Sequence, residues 1–325
     1  MVTINDAVNL YLDSVKLARS EHTYRAYKTA LSYFLSILAD HSILGEDSVS
    51  TLSEDAVAWF ATELKNYSPA TEQLYLTAAA GLYEFMSAEQ IATPNLPRVR
   101  LLIRQRGRRS GIRLPQFPRE SIEKIIHHLT THTTPLIDDI NARLRYLRNT
   151  SFILCLADTG LRVHEACALR RGDIDWNEGK AIIIGKGDRE AIVRFSDRSL
   201  RALRAYLQAR SELDGHSGRP LPSLPLFSRH DRGAGKKVKP ITPTTGRNIV
   251  AEVVADVLGE DSVGKITPHS FRHFFVTTVL RASGGNLKLA QSLARHRNIQ
   301  VTQRYAHLAD DELDRGYHDI FNENS

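Results

Sequence analysis

Cysteine is nearly missing: Cys155 and Cys167 are the two in 325 residues, so a disulfide framework is excluded. Both fall in apolar helical stretches, which suits a reduced interior, and neither has the spacing of a metal site. Long apolar runs are missing as well. No stretch approaches eighteen consecutive apolar residues, which rules out a membrane-crossing helix. The start, MVTINDAVNLYLDSV, has no basic segment ahead of an apolar one, so no secretion signal is expected and a cytoplasmic setting is. Internal repeats and low-complexity tracts are also lacking. What remains, 42% apolar and 25% charged residues, is ordinary globular composition on a length that suits two domains.

Acidic residues are what the stretch from Arg98 to Arg113 lacks. It carries seven bases, Arg98, Arg100, Arg104, Arg106, Arg108, Arg109 and Arg113, and no Asp or Glu. The residues before it lean the other way, with five bases (Lys16, Arg19, Arg25, Lys28, Lys65) against twelve acids in positions 1–97. The net charge of +6 therefore sits entirely in the remainder. A basic segment of this kind is either an electrostatic footprint for a phosphate backbone or a solvated linker, and charge alone does not choose.

Periodicity predicts a mainly α chain with one small antiparallel β-sheet. Four helices are expected in the first hundred residues. Thr3 with Asp6 caps the first, Ser20 the second and Ser53 the third, and Ser68 before Pro69 opens the fourth. Their apolar positions (Ile4, Val8, Tyr11; Leu31, Phe34; Val57, Phe60; Leu74, Ala78, Leu82) repeat at helical spacing and predict a small bundle core. Pro94, Pro97, Gly107, Gly111, Pro115 and Pro118 then predict an extended linker. The resulting division is an N-terminal domain over 1–97, a basic linker over 98–114 and a second domain over 115–325. Within the last, helices are expected over 119–129 and 142–157. Three short strands follow between Asp173 and Phe195, and further helices over 199–211, 243–258, 268–282, 287–293 and 301–307. Residues 214–240 read as an exposed loop, and 310–321 as a short amphipathic helix with Leu313, Tyr317 and Phe321 on one face.

Four segments carry chemistry: TGLRVHEACAL around Arg162, IIIGKGDREAIVRF around Lys186, TPHSFRHFFVT with His269 and Arg272, and LARHRNIQVTQRYAH with His296 and Tyr305. His269 and Arg272 are three apart at the start of a helix, whose free N–H groups already favour an anion. Glu165 lies one turn past Arg162, where a carboxylate can orient a guanidinium. Lys186 sits in a Gly-Lys-Gly hairpin tip, and Tyr305 follows His296 by nine residues. Taken singly, each is more often a surface ion pair, a solvated turn lysine or a half-buried tyrosine. Together they supply what phosphodiester exchange requires without a metal: guanidiniums for phosphate charge, a hydroxyl nucleophile, and lysine and histidine to move protons. A metal site from the histidines is the weaker competitor, since His127, His128 and His132 match no standard ligand spacing.

In this order and at these separations the six residues resemble the tyrosine recombinase (phage integrase) family: Arg162 in TGLRxxE, Lys186 in the hairpin, His269-x-x-Arg272, His296, and Tyr305. The resemblance covers both domains. It implies an N-terminal core-binding (SAM-like) domain of four helices and an α+β catalytic domain. It further implies site-specific strand exchange on double-stranded DNA through a 3′-phosphotyrosine at Tyr305, with no cofactor. A homotetramer on two recombination sites is implied; Leu313, Tyr317 and Phe321 suit docking of the C-terminal helix into a neighbouring subunit or packing on its own domain. The DNA contacts of the N-terminal domain would fall to Arg19, Arg25, Lys28 and Lys65. Rival readings are a type IB topoisomerase and a DNA-binding factor that performs no chemistry. The chain departs from the family at Arg295, where glycine is usual before the second histidine.

Overall fold

Thr3 and Asp6 cap each other's backbone N–H groups, at 3.0 and 3.1 Å, and so open α1 (Ile4–Ala18). The computed structural model describes residues 2–108, 118–131, 137–185, 189–231, 233–235, 237–296, 298–303 and 305. They fall in two compact units, Met1–Arg113 and Leu114–Ser325. Ser20 caps α2 (Glu21–Asp40), and Ser68 with Pro69 opens α4 (Pro69–Ala88), both as expected. The helix between them, α3 (Asp55–Glu63), begins two residues past Ser53 and has no side-chain cap. The four helices bury Ile4, Leu31, Phe34, Phe60, Leu82 and Tyr83 in one core. Leu74, expected among them, is exposed on the outer face of α4.

The linker expectation fails at its start. Asn95 accepts the Arg98 N–H at 3.0 Å and Pro97 lies in the first turn, so α5 (Leu96–Arg106) is a fifth helix. Proline at a helix start costs no hydrogen bond, because that N–H would have no intrahelical partner. Arg98, Arg100, Arg104 and Arg106 thus stand on a helix packed against α3 and α4, with Val99 buried beneath. Arg109 and Arg113 lie outside the described residues.

Two of the basic residues serve a buried acid. Glu72 is fully buried; it accepts from Lys65 Nζ at 2.8 Å, from the Arg108 N–H at 2.7 Å and from Arg108 Nε at 2.5 Å. Burial alone would raise its carboxyl, but these bonds outweigh it and hold the group below its ordinary value. Arg108 also donates to the Tyr67 carbonyl at 2.5 Å, tying the end of α5 to the start of α4.

In the second unit, α6 (Arg119–Thr131) and α7 (Ile140–Thr159) precede the short α8 (Val163–Ala168). A three-stranded antiparallel sheet in the order β1 (Ile174–Asp175), β2 (Lys180–Gly185), β3 (Arg189–Arg194) comes next, in the register Ile182 opposite Ile192. One face, with Ala181, Ile183 and Val193, joins the main core; the other presents Ile182, Ile184 and Ile192 to solvent. Lys186, at the hairpin tip, lies outside the described residues. Then come α9 (Asp197–Ala209), α10 (Ser211–Gly215), α11 (Pro243–Leu258), α12 (Pro268–Ala282), α13 (Leu287–Ala294) and α14 (Ile299–Gln303). The expected helix over 310–321 lies outside the described residues.

Residues 214–240 are not simply an exposed loop. Leu224, Leu226, Phe227 and Ser228 are buried, Leu226 and Phe227 in the main core, and Arg210, itself fully buried, reaches across to the segment. Its guanidinium donates to the Pro225 carbonyl at 2.8 Å, the Leu226 carbonyl at 3.0 Å and Ser228 Oγ at 2.7 Å, while Nε lies 2.9 Å from Asp214 Oδ1. Among its described residues the segment has no strand ladder, so this arginine satisfies carbonyls that burial would otherwise leave unpaired. His230 closes the network, 2.7 Å from the Tyr206 hydroxyl. Burial first, then the charges of Arg148 and Arg210, push its pKa from 6.5 down to about 3.

Two outcomes follow from these buried charges. Replacing both cations of the Glu72 cluster (Lys65→Met with Arg108→Met) strands a buried carboxylate, and urea denaturation should register a loss of roughly 3 kcal/mol. Glu72→Gln leaves two half-exposed cations free to reach water and should cost only about 1 kcal/mol; the reverse ranking would refute this account. His230 takes up a proton in the unfolded state at pH values where the native state refuses it. Its contribution is therefore complete above about pH 6.5 and is lost as the pH falls toward 3. Between pH 7 and 5.5 calorimetry should show roughly 1 kcal/mol of this loss, absent in His230→Gln.

Candidate active site

The end of α7 sets the geometry. Thr159 closes the helix, and Gly160 turns the chain in the left-handed region at φ +60°. A Cβ there would meet the Phe275 ring at 2.4 Å, so glycine is required both by conformation and by packing. The turn sends Arg162 to the first position before α8. Its guanidinium Nη1 donates to Glu165 Oε1 at 2.8 Å, and its backbone N–H to Glu165 Oε2 at 2.8 Å. Glu165 is buried, whereas the Arg162 side chain is 43% exposed and open toward a ligand. Burial would raise the Glu165 carboxyl, but the Arg162 N–H and the Arg295 charge outweigh it and keep it below its ordinary value.

Arg272 arrives from α12. Ser270 Oγ accepts the Thr267 N–H at 3.1 Å and so closes the first turn of that helix. Arg272 is 2% exposed and donates to two backbone carbonyls, Gly160 O and Ala294 O. Burial, and after it the charges of Arg162 and Arg295, bring its pKa down to about 10. Three guanidiniums therefore converge with Glu165 as their carboxylate, an excess of positive charge suited to an anion.

Tyr305 belongs to a small apolar cluster of its own, with Val276 and Leu280 of α12 and Ala290 and Ala294 of α13. Its hydroxyl is hydrogen-bonded to His273 Nδ1. His273 is one turn past His269, and the two rings meet edge to face with centroids 4.3 Å apart. Burial, then His269 and Arg272, lower the His273 pKa to about 4; the same kinds of cause lower His269. On the other side the His296 ring lies parallel to Tyr305, centroids 6.4 Å apart, with Nδ1 2.9 Å from the buried Thr302 Oγ1. Burial, then Arg272 and Arg162, push the His296 pKa to about 3. At neutral pH these rings are uncharged, and a neutral imidazole can accept a proton.

Five of the six proposed catalytic residues, Arg162, His269, Arg272, His296 and Tyr305, are thus drawn together from α8, α12, α13 and the segment after α14. The sixth, Lys186, lies outside the described residues. Two participants escaped the sequence reading. His273 follows Arg272 directly, so the i, i+4 spacing from His269 was the available signal. Arg295 was noted only as a departure. It holds the left-handed backbone (φ +56°) that glycine would favour, and its guanidinium reaches Glu165 Oε2 and Gly160 O, each at 3.2 Å.

The basic residues of the N-terminal unit divide differently. Lys65 and Arg108 hold Glu72, Arg98 donates to Asp55 at 2.7 Å, Arg100 to Glu84 at 2.8 Å, and Arg25 to Glu21 at 2.9 Å. Arg19 and Arg104 line a cleft of about 590 Å³ with Tyr11, Tyr27 and Glu84. Lys28 and Arg106 are exposed on their helices. Among the described residues no group of three His, Cys, Asp or Glu side chains could hold a metal, and no helix is long and apolar enough to cross a membrane.

Comparison with known proteins gives the same picture. The tyrosine recombinase XerC of Anoxybacillus flavithermus is 27% identical over 321 residues, covering 96% of each chain. XerC of Mycobacterium sp. (strain JLS) is 27% identical over 326 residues and covers 98% of each. Among solved structures, the XerH site-specific recombinase in its post-cleavage complex with a palindromic difH substrate has a TM-score of 0.66 at 20% identity, over 91% of this chain and 79% of that one. The Tn1549 transposon integrase bound to transposon right end DNA has a TM-score of 0.66 at 16% identity, over 99% and 100%. At such identities the likeness speaks for the fold. The phage integrase family model, however, matches residues 117–312, more than half of the sequence and all five of the residues assembled above. The chain belongs to the phage integrase family, the tyrosine recombinases.

Proposed function

We propose that this tyrosine recombinase acts at specific DNA sites by forming a 3′-phosphotyrosine at Tyr305. The observation that carries the reading is the buried Tyr305 hydroxyl bonded to His273, in a pocket where Arg162 and Arg272 exceed the local carboxylate charge. Arg162 and Arg272 hold the non-bridging oxygens of the scissile phosphate and stabilise the charge of the five-coordinate state. Tyr305 Oη forms a bond to phosphorus as the bond to the 5′ oxygen breaks. His273 takes the tyrosine proton, and the His269 ring meets it edge to face. His296 donates a hydrogen bond to the phosphate through its second ring nitrogen. Lys186 protonates the departing 5′ oxygen. The 5′-hydroxyl of a partner strand then reverses the step, so bond energy is conserved and neither ATP nor a metal enters the scheme.

The working assembly on this reading is a tetramer on two duplex sites in the cytoplasm, with the segment after Tyr305 docking onto a neighbouring subunit. Alignment with the XerC chains over 96% and 98% of their lengths supports the recombinase reading. Integration, excision and resolution of chromosome dimers share this chemistry. Arg19, Lys28, Arg104 and Arg106 are the candidates for DNA contact in the N-terminal unit, because Lys65 and Arg108 already hold Glu72.

Duplexes from the DNA flanking the gene can be screened by gel shift, and a specifically bound one nicked beside its cleavage position and incubated in EDTA. Wild type should form a denaturant-resistant protein–DNA adduct, and Tyr305→Phe none while still binding. Specific binding without an adduct from wild type would replace this reading by that of a binding factor. Lys186→Ala should lose at least a hundredfold in cleavage rate. Sulfur at the 5′ bridging position, a leaving group that needs no proton, should restore most of it. Absence of that rescue would remove Lys186 as the acid.

A further inference from the structure

We propose that Arg295 is a positioning residue that couples the two phosphate-binding arginines to each other and to His296. Its guanidinium touches both groups that aim them. Nη2 donates to Glu165 Oε2 at 3.2 Å, the same oxygen that accepts the Arg162 N–H, while Glu165 Oε1 holds the Arg162 guanidinium at 2.8 Å. Nη2 also lies 3.2 Å from Gly160 O, the carbonyl to which Arg272 donates. Nη1 reaches Thr159 O at 3.4 Å, so the side chain spans the end of α7. The next residue is His296, whose backbone N–H returns to Gln291 O at 3.0 Å. One side chain thus connects α7, the start of α8 and the loop that presents His296.

Stability alone does not account for this residue. Arg295 adopts φ +56°, a conformation that costs a side chain with a Cβ and that glycine adopts freely. Its Nε–H is buried without a hydrogen-bond partner among the described residues, and its charge lies beside two other guanidiniums. A backbone in this conformation, a buried N–H and like-charge crowding each oppose folding. What the residue contributes in return is the second hydrogen bond to Glu165 and the second to Gly160. Without Arg295, Glu165 is held by Arg162 alone, and the pair can turn together away from the phosphate seat.

This inference rests on the phosphotyrosine reading, and its test uses the nicked duplex on which the wild type forms an adduct. Arg295→Gly relieves the backbone and should melt no lower than wild type, bind the duplex within about twofold, and form adduct at least tenfold more slowly in single turnover. Arg295→Lys, which retains a cation at the site, should recover part of the rate; Arg295→Met should not. Because Arg295 acts through Glu165, Arg295→Met combined with Glu165→Gln should be no slower than the slower single variant. Cleavage by Arg295→Gly within threefold of wild type would overturn the proposal, as would fully multiplicative losses in the double variant. An inert wild type on a specifically bound duplex would instead sink the phosphotyrosine reading. Should Arg295→Met fail to fold, the glycine and lysine variants decide the matter by the same rates.

Discussion

The catalytic unit depends on how three guanidiniums share two acceptors. Arg162, Arg272 and Arg295 converge where the anion is Glu165 and the common carbonyl is Gly160. A carboxylate offers about four acceptor directions and a carbonyl two, so each arginine can be held while donors remain for a ligand. The balance of charge is what matters for function. Two buried or half-buried positive charges beyond the one neutralised by Glu165 raise the energy of the pocket, and together with burial they depress the Arg272 pKa. A phosphodiester would supply the missing negative charge, and the arginine fork fits its non-bridging oxygens.

Position follows from the same turn. Gly160 is pinned between its left-handed backbone and the Phe275 ring, which belongs to the helix that carries His269, Arg272 and His273. Packing of α12 against α7 therefore sets the distance between the two arginines that matter. Tyr305 is attached differently, through a small cluster on α12 and α13 that is separate from the main core. A side chain anchored on a satellite cluster can shift with α13 without disturbing the thirty or so residues that hold the unit together.

Much of this was legible in the sequence, because the carriers are local. Thr3, Ser20, Ser68 and Pro69 start the helices they were expected to start, and strand alternation placed the sheet within a residue or two. Arg162, Arg272 and Tyr305 stood out through fixed spacing to neighbours. The misses share one cause, partners distant in sequence. Pro94 and Pro97 read as linker because α3 and α4, against which α5 packs, are invisible in a local window. The bonds of Lys65 and Arg108 to Glu72, which lies 7 and 36 residues away, were likewise out of sight. Leu224–Ser228 read as surface because the arginine that satisfies its carbonyls sits at the end of α9. His273 was overlooked for a subtler reason: its bond to Tyr305 joins residues 32 apart.

On the proposed reading the arginine field also settles when the histidines can act. A base whose pKa is far below the working pH is a weak one, and His273 at about 4 and His296 at about 3 are poor acceptors on their own. Burial is the first cause for both, and Arg272 contributes to both. An arriving phosphate neutralises the arginine part. It raises the basicity of the ring that holds the Tyr305 hydroxyl at the moment when phosphorus comes within reach. The same negative charge ends the crowding of Arg162, Arg272 and Arg295, so substrate binding and activation of the nucleophile draw on one electrostatic change. A site poised this way is chemically quiet without DNA, which suits an enzyme whose intermediate is a broken strand.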